Sequence, residues 1–313
     1  MNNLTGAMLK TMILESHSRI QKKADYLNAI NVFPVADGDT GLNINTTLTS
    51  VVKELEKQGD TPSIKEAAKA ISKGAFIGAK GNSGVILSQF FVGFAKTIEN
   101  EENIDTQLFA DALVEGSKRA YKAVMNPREG TILTVVKETA EAAKKKTQEG
   151  AGWRETVEHC YEIAQKSTAD TPNLLEDLKS AGVVDSGALG FVYLIQGWLF
   201  VISNTFDGPK VVDLREGLEG LHNKVDVSSA IENLQFRYCT EAMIIDTKAS
   251  ESSIREQLVD FGDSLIVIES ESSFKLHIHS NKPKQALEKF ANNGHLVFVK
   301  IDDMKTQTTE THS

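Results

Sequence analysis

Cysteine is scarce. Cys160 and Cys239 are the only two in 313 residues, too few for a disulfide framework, so a reducing, cytoplasmic setting is the expectation. Positive charge is also short. Lys and Arg number 34 against 43 Asp and Glu, for a formal net charge of -9, which argues against a nucleic-acid binder with a basic face. No leader is expected either: M-N-N-L-T-G-A-M-L-K has no basic region followed by an apolar core. The most apolar run, Leu189 to Ser203, contains Gln196 and is short for a bilayer, so a buried core helix is expected and no membrane span. What remains is an ordinary globular composition, 41% hydrophobic and 25% charged, in a chain long enough for two domains.

Apolar residues recur at three- and four-residue spacing through the first two thirds of the chain. They predict helices over Leu4–Ile30, Thr40–Lys57, Ser63–Lys80, Asn82–Glu99, Thr106–Val124, Thr131–Gln148, Trp153–Ala181 and Ser186–Ser203. The seventh is expected to break near Thr171-Pro172, because the residue before proline resists helical geometry. This is an all-α bundle or barrel of eight helices over residues 1–205. Residues 206–230 read as a polar linker with a short helix in Arg215–Ser229. Strands follow at Phe236–Asp246, Ser264–Glu269, Phe274–Ser280 and Val297–Ile301, with helices at Glu251–Phe261 and Pro283–Asn293. The β-α-β-β-α-β order over 231–303 is that of a smaller α+β, ferredoxin-like domain. Residues 304–313 are a polar tail, read as a point of truncation.

Four links between predicted helices carry chemistry. D-G-D-T-G places Asp37 and Asp39 around Gly38, and two carboxylates around a flexible residue can turn toward one hard cation such as Mg²⁺. Turn chemistry alone, a helix cap with an Asx turn, would account for one of them. G-A-K-G-N-S-G, Gly78 to Gly84, is glycine-rich and opens a helix, a combination that lets backbone amides approach a phosphate; glycines also serve close helix packing. G-T-I-L-T (Gly130–Thr134) and G-V-V-D-S-G-A-L-G (Gly182–Gly190) start two further helices. Together they suit Mg²⁺ and a nucleotide phosphate chain.

A second constellation lies in the α+β part. His277 and His279, two apart on one strand, share a face. Cys239 on the first strand falls beside them if the first and third strands are adjacent, with Glu241 on the same face as a fourth ligand or a base. A thiolate and two imidazoles are a sensible Zn²⁺ set with one open position. The alternative is an inert buried cysteine and two solvated histidines; on either reading Leu276 and Ile278 face the core, which leaves the histidines on the open face. Lys144-Lys145-Lys146 reads as a solvated helix end, Cys160 as buried, Trp153 and Trp198 as packing. His17, His159, His222, His295 and His312 read as incidental.

In order and spacing, D-G-D-T-G with Asn43, G-A-K-G-N-S-G-V-I-L-S-Q, G-T-I-L-T-V and D-S-G-A-L-G-F resemble the nucleotide-binding subunit family of dihydroxyacetone kinases. The resemblance is closest to the kinase subunit of bacterial fatty acid kinase. It implies ATP and Mg²⁺ at one rim of a helical barrel. Asp37 and Asp39 would ligate the metal. Thr40, Asn43, Gly81, Asn82, Ser83 and Gly84, with Thr131, Asp185 and Gly187, would hold the nucleotide. The activity implied is transfer of the γ-phosphate to a fatty acid carboxylate, presented by a fatty-acid-binding carrier protein, in phospholipid synthesis. His277 or His279 would orient the acceptor, and a homodimer is expected. A dihydroxyacetone-type kinase and a non-enzymatic nucleotide- or metal-binding scaffold are the alternatives. One departure is Asn31, where the dihydroxyacetone branch has a third aspartate at a spacing one residue different; an amide adds no charge, so occupancy by two metal ions stays open. Family proteins are longer and end in a further domain.

Overall fold

The computed structural model describes residues 3–206 and 235–306. The expected linker helix in Arg215–Ser229, most of the linker and residues 307–313 of the tail lie outside the described residues. Among those described, the first part is helical: α1 (Gly6–Ala29), α2 (Thr40–Glu56), α3 (Ile64–Gly78), α4 (Gly81–Ile98), α5 (Thr106–Ala123), α6 (Ile132–Gln148), α7 (Trp153–Leu174), α8 (Glu176–Ala181) and α9 (Ser186–Phe206). Local chemistry sets several starts. Thr5 and Asp105 cap α1 and α5 through their side chains, and Ser63 with Glu66 forms a reciprocal capping box on α3.

Eight long helices match the pattern, and the short α8 is what the end of the seventh predicted helix becomes. The break falls at Leu175, three residues beyond the expected place. Pro172 sits inside α7, where it has no N–H to give the Thr168 carbonyl. The Thr171 hydroxyl donates to that carbonyl instead, at 2.7 Å, so the helix carries the proline through its last turn.

Each long helix packs on the next, and α9 closes against α1. The ring interior is aromatic: Phe94 and Phe109 stand 5.5 and 5.7 Å from Trp198, and Trp153 stands 5.4 Å from Phe109, centroid to centroid. Ser186–Thr205 of α9 is long and apolar enough to cross a membrane, yet 94% of its apolar 18-residue window is buried within the protein. It is a core helix here.

The second part is a four-stranded sheet of β1 (Tyr238–Ile245), β2 (Asp263–Ser270), β3 (Ser273–Ser280) and β4 (His295–Asp303), in order β2-β3-β1-β4 with antiparallel pairs. Helices α10 (Glu251–Leu258) and α11 (Pro283–Ala291) cover one face, burying Ala242, Ile244, Val267, Leu276, Ile278 and Phe290. This is the expected ferredoxin-like α+β arrangement.

The opposite sheet face lies on the ring. Ile266 and Ile268 pack with Phe76, Ala79, Val85 and Ala123 from the α3, α4 and α5 ends. A single bridge joins Val124 to Ile266. The starts of α2, α4, α6 and α9 share the rim on which the sheet rests: Thr40 meets Ser83, Gly187 meets Ile132, and Ser186 reaches Leu27.

Candidate functional site

One cleft forms where the α1–α2 link, the start of α4 and the polar sheet face converge. Asp37, Asp39, Thr40 and Ser83 line it from the ring, and Cys239, His277 and His279 line it from the sheet. Two groups that are far apart in sequence therefore share one site.

On the ring side, Gly38 adopts a φ of 66° between the aspartates, a left-handed turn that glycine accepts freely. Asp39 occupies the cap position of α2, but its side chain does not cap. Its Oδ1 accepts from Asn43 Nδ2 at 2.6 Å. The capping role belongs to Asn31, whose Oδ1 accepts from the Thr40 amide at 3.0 Å while its Nδ2 donates to the Val35 carbonyl at 2.7 Å. Asn31 thus spends its amide on the loop and the start of α2. Asp37 carries a carboxyl held well above its ordinary range, first by burial and then by the nearby charges of Asp39 and Cys239. A divalent cation between the two carboxylates would relieve that repulsion.

At the start of α4, Gly81 has a φ of 59°, and a Cβ there would come within 2.0 Å of Asn43 Nδ2. Only glycine fits. By the geometry of any helix start, the amides of Asn82 and Ser83 have no intrahelical partner, and the Ser83 and Thr40 hydroxyls stand 3.3 Å apart. Hydroxyls, unpaired amides and a helix dipole make this an anion-receiving corner.

On the sheet side the register is β1 against β3, with Cys239 opposite His279 and Glu241 opposite His277. The ligand atoms of Cys239, His277 and His279 lie within 4.8 Å of one another, a spread that tetrahedral zinc can draw together. His277 Nε2 is buried with no hydrogen-bond partner. Burial alone would raise the Cys239 thiol, but His277 and His279 beside it bring it down to about 7, so thiolate is available for a metal. Burial would likewise raise Glu241, yet His277, the Gly81 amide and Lys275 hold it at about 2.

The expectation that the histidines stand on an open, solvated face is corrected here. His277 and His279 are each 2% exposed, because the ring covers the face that the α10–α11 layer leaves free. Lys275, which the sequence did not single out, is buried on that face too and donates to the Ile77 and Ala79 carbonyls at 2.9 and 2.5 Å. Lysine at a helix C-terminus is a general signal, but nothing in K-L-H-I-H points to α3. Burial, only partly offset by Glu241, lowers Lys275 to about 8.

Several expected nucleotide residues stand outside this cleft. Gly84 presses on α2, where a Cβ would come within 2.6 Å of Thr47 Oγ1. Thr131 caps α6. Asp185 is buried between two helix starts, accepting from the Ala188 amide at 2.7 Å and from the Ile132 amide. Burial raises its carboxyl to about 6 against the pull of those amides. Gly187 lies against Ile132 in the same corner. These residues tie the same rim together one link further round.

A protein-family model described as "DAK2 domain" matches residues 34–200, more than half of the chain. The chain belongs to the DAK2 domain family. A second model, for a middle domain of the fatty acid kinase subunit type, matches residues 235–311. Among curated relatives, an uncharacterized protein of Staphylococcus aureus (strain bovine RF122 / ET3-1) is 39% identical over 315 residues, 99% of this chain and 57% of its own length. One from Staphylococcus haemolyticus (strain JCSC1435) is 39% identical over 318 residues with the same two shares. This DAK2 chain thus spans 57% of the length of those relatives. Among solved structures, a dihydroxyacetone kinase from C. freundii, crystallised with AMP-PNP and Mg²⁺, aligns with a TM-score of 0.48 at 16% identity, over 63% of this chain and 34% of that one.

Proposed function

We propose that the chain is the ATP-binding and middle part of a kinase that transfers the γ-phosphoryl group of ATP to a fatty acid carboxylate. A separate fatty-acid-binding protein presents the acceptor, and the product is an acyl phosphate with ADP released. What supports the reading is one observation above all: the Asp37 and Asp39 carboxylates, the Thr40 and Ser83 hydroxyls and the α4 start meet in a single cleft, in a chain of the DAK2 family whose second part matches a fatty acid kinase middle domain.

Phosphoryl transfer asks mainly for positioning and charge neutralisation. Asp37 and Asp39 would hold Mg²⁺, and the ion would supply charge neutralisation for the phosphate chain. Thr40, Asn43, Ser83 and the amides of Asn82 and Gly81 hold phosphate oxygens, and Thr131, Asp185, Gly187 and Gly84 keep the rim in shape around the nucleotide. Cys239, His277 and His279 suit zinc, with the orphaned His277 Nε2 as the group that most needs a ligand. Across the cleft from the aspartates, His277 or His279 orients the acceptor.

ADP release is the test, measured with fatty acid plus a fatty-acid-binding carrier and separately with dihydroxyacetone plus its carrier. Turnover with the first and acyl phosphate as product is expected, abolished in Asp39→Ala. Turnover with dihydroxyacetone alone would refute the proposal.

A further inference from the structure

The β domain takes hold of the link where an anion would be received. Lys275 Nζ donates to the Ile77 and Ala79 carbonyls, at the negative end of α3. Two residues on, Glu241 Oε1 accepts from the Gly81 amide at 2.6 Å, at the positive start of α4. Glu241 is 6% exposed, and it comes from the sheet, 160 residues away in sequence. The charges match the two helix ends, and Ile266 and Ile268 seal the contact against Phe76 and Val85. On the far side Arg255 adds a bond to the Ala123 carbonyl at 2.8 Å. The free volume left in the cleft is about 20 Å³, room for about one water-sized species and none for a triphosphate.

We infer that the Glu241 carboxylate stands in for a phosphate group, so that the docked β domain and a bound nucleoside triphosphate compete for the start of α4. The inference rests on reading that helix start as the phosphate site. Nucleotide enters when Glu241 leaves, and bound nucleotide in turn loosens the Glu241 and Lys275 contacts to the rim while the sheet stays across the cleft, because coupling between two sites is reciprocal. The cleft therefore alternates between a closed form sealed by Glu241 and Lys275 and an open form that admits the phosphate chain.

The test is calorimetric binding of Mg²⁺·AMP-PNP to the 313-residue chain and to two variants. Glu241→Gln keeps the shape and removes the charge. Arg255→Met weakens docking from outside the cleft and guards against a Glu241 variant that fails to fold. Both are expected to bind more tightly than wild type, Glu241→Gln by about tenfold if the closed form outnumbers the open by about ten to one. Hydrogen exchange across 264–269 should rise when Mg²⁺·AMP-PNP is added to wild type. Equal or weaker binding by Glu241→Gln, or added protection of 264–269, would overturn the competition while leaving nucleotide binding intact. Failure of all three proteins to bind would remove the nucleotide reading and this inference with it.

Discussion

Replacing Gly81 by alanine probes the crowded corner of the cleft, and Gly59→Ala supplies its control. Both glycines have left-handed backbones, with φ of 59° and 74°. A side chain forced into that region costs about 1–2 kcal/mol. Around Gly59 there is nothing within 4 Å of a new Cβ, so that variant should lose only the backbone term. At Gly81 the Cβ arrives 2.0 Å from Asn43 Nδ2. The Asn43 side chain can swing away, but doing so breaks its 2.6 Å bond to Asp39, worth about 1.5–3 kcal/mol for a bond to a charged group. Gly81→Ala should therefore lose about 2.5–5 kcal/mol, the sum of those two terms. Urea unfolding of both variants measures the difference. Equal losses would show that Asn43 is not pinned between Gly81 and Asp39, and the account of this corner would fail.

Asp185 makes stability pH-dependent. Its folded-state carboxyl is raised from 3.8 to about 6, so the fold favours the protonated form and loses stability as pH climbs from about 4 through 6, by about 3 kcal/mol at 1.36 kcal/mol per pH unit. Denaturation at pH 4 and pH 7 should show a steeper fall for wild type than for Asp185→Asn; parallel curves would contradict the placement. Zinc should appear in metal analysis of purified protein and drop in Cys239→Ser, and equal content in both would remove the Cys/His site. Phe94→Ala, emptying the space among Phe90, Phe109 and Trp198, should cost about 3–5 kcal/mol in the same unfolding assay. A loss below about 1 kcal/mol would mean the ring interior is loosely packed.

The sequence made the repeating elements readable because their signals are local. Apolar spacing in segments such as Val85, Leu87, Phe90, Phe91 and Phe94 marks a helix by itself, and the alternation in Phe274 to Ser280 puts His277 and His279 together on one face of β3. The order of strands and helices was enough to set Cys239 opposite His279. What covers that face was not legible, since period two assigns a side and says nothing about the partner across it. Hence the histidines turn out buried, and Lys275 turns out to bind α3. The break near Pro172 moved because Thr171 carries a hydroxyl that satisfies the carbonyl proline leaves open. Asp185 reads in sequence like another phosphate-loop residue, and only the fold shows its oxygens committed to the α6 and α9 amides.

The central claim is that Asp37 and Asp39 jointly hold a divalent ion against a triphosphate. Crystals grown with Mn²⁺ and AMP-PNP test it through the anomalous signal of manganese. A peak is expected within about 2–2.5 Å of carboxylate oxygens from both residues, as oxygen-ligated hard cations require, and in contact with phosphate oxygen. Nucleotide density with manganese elsewhere, and the Asp39 carboxylate still bonded only to Asn43, would contradict it.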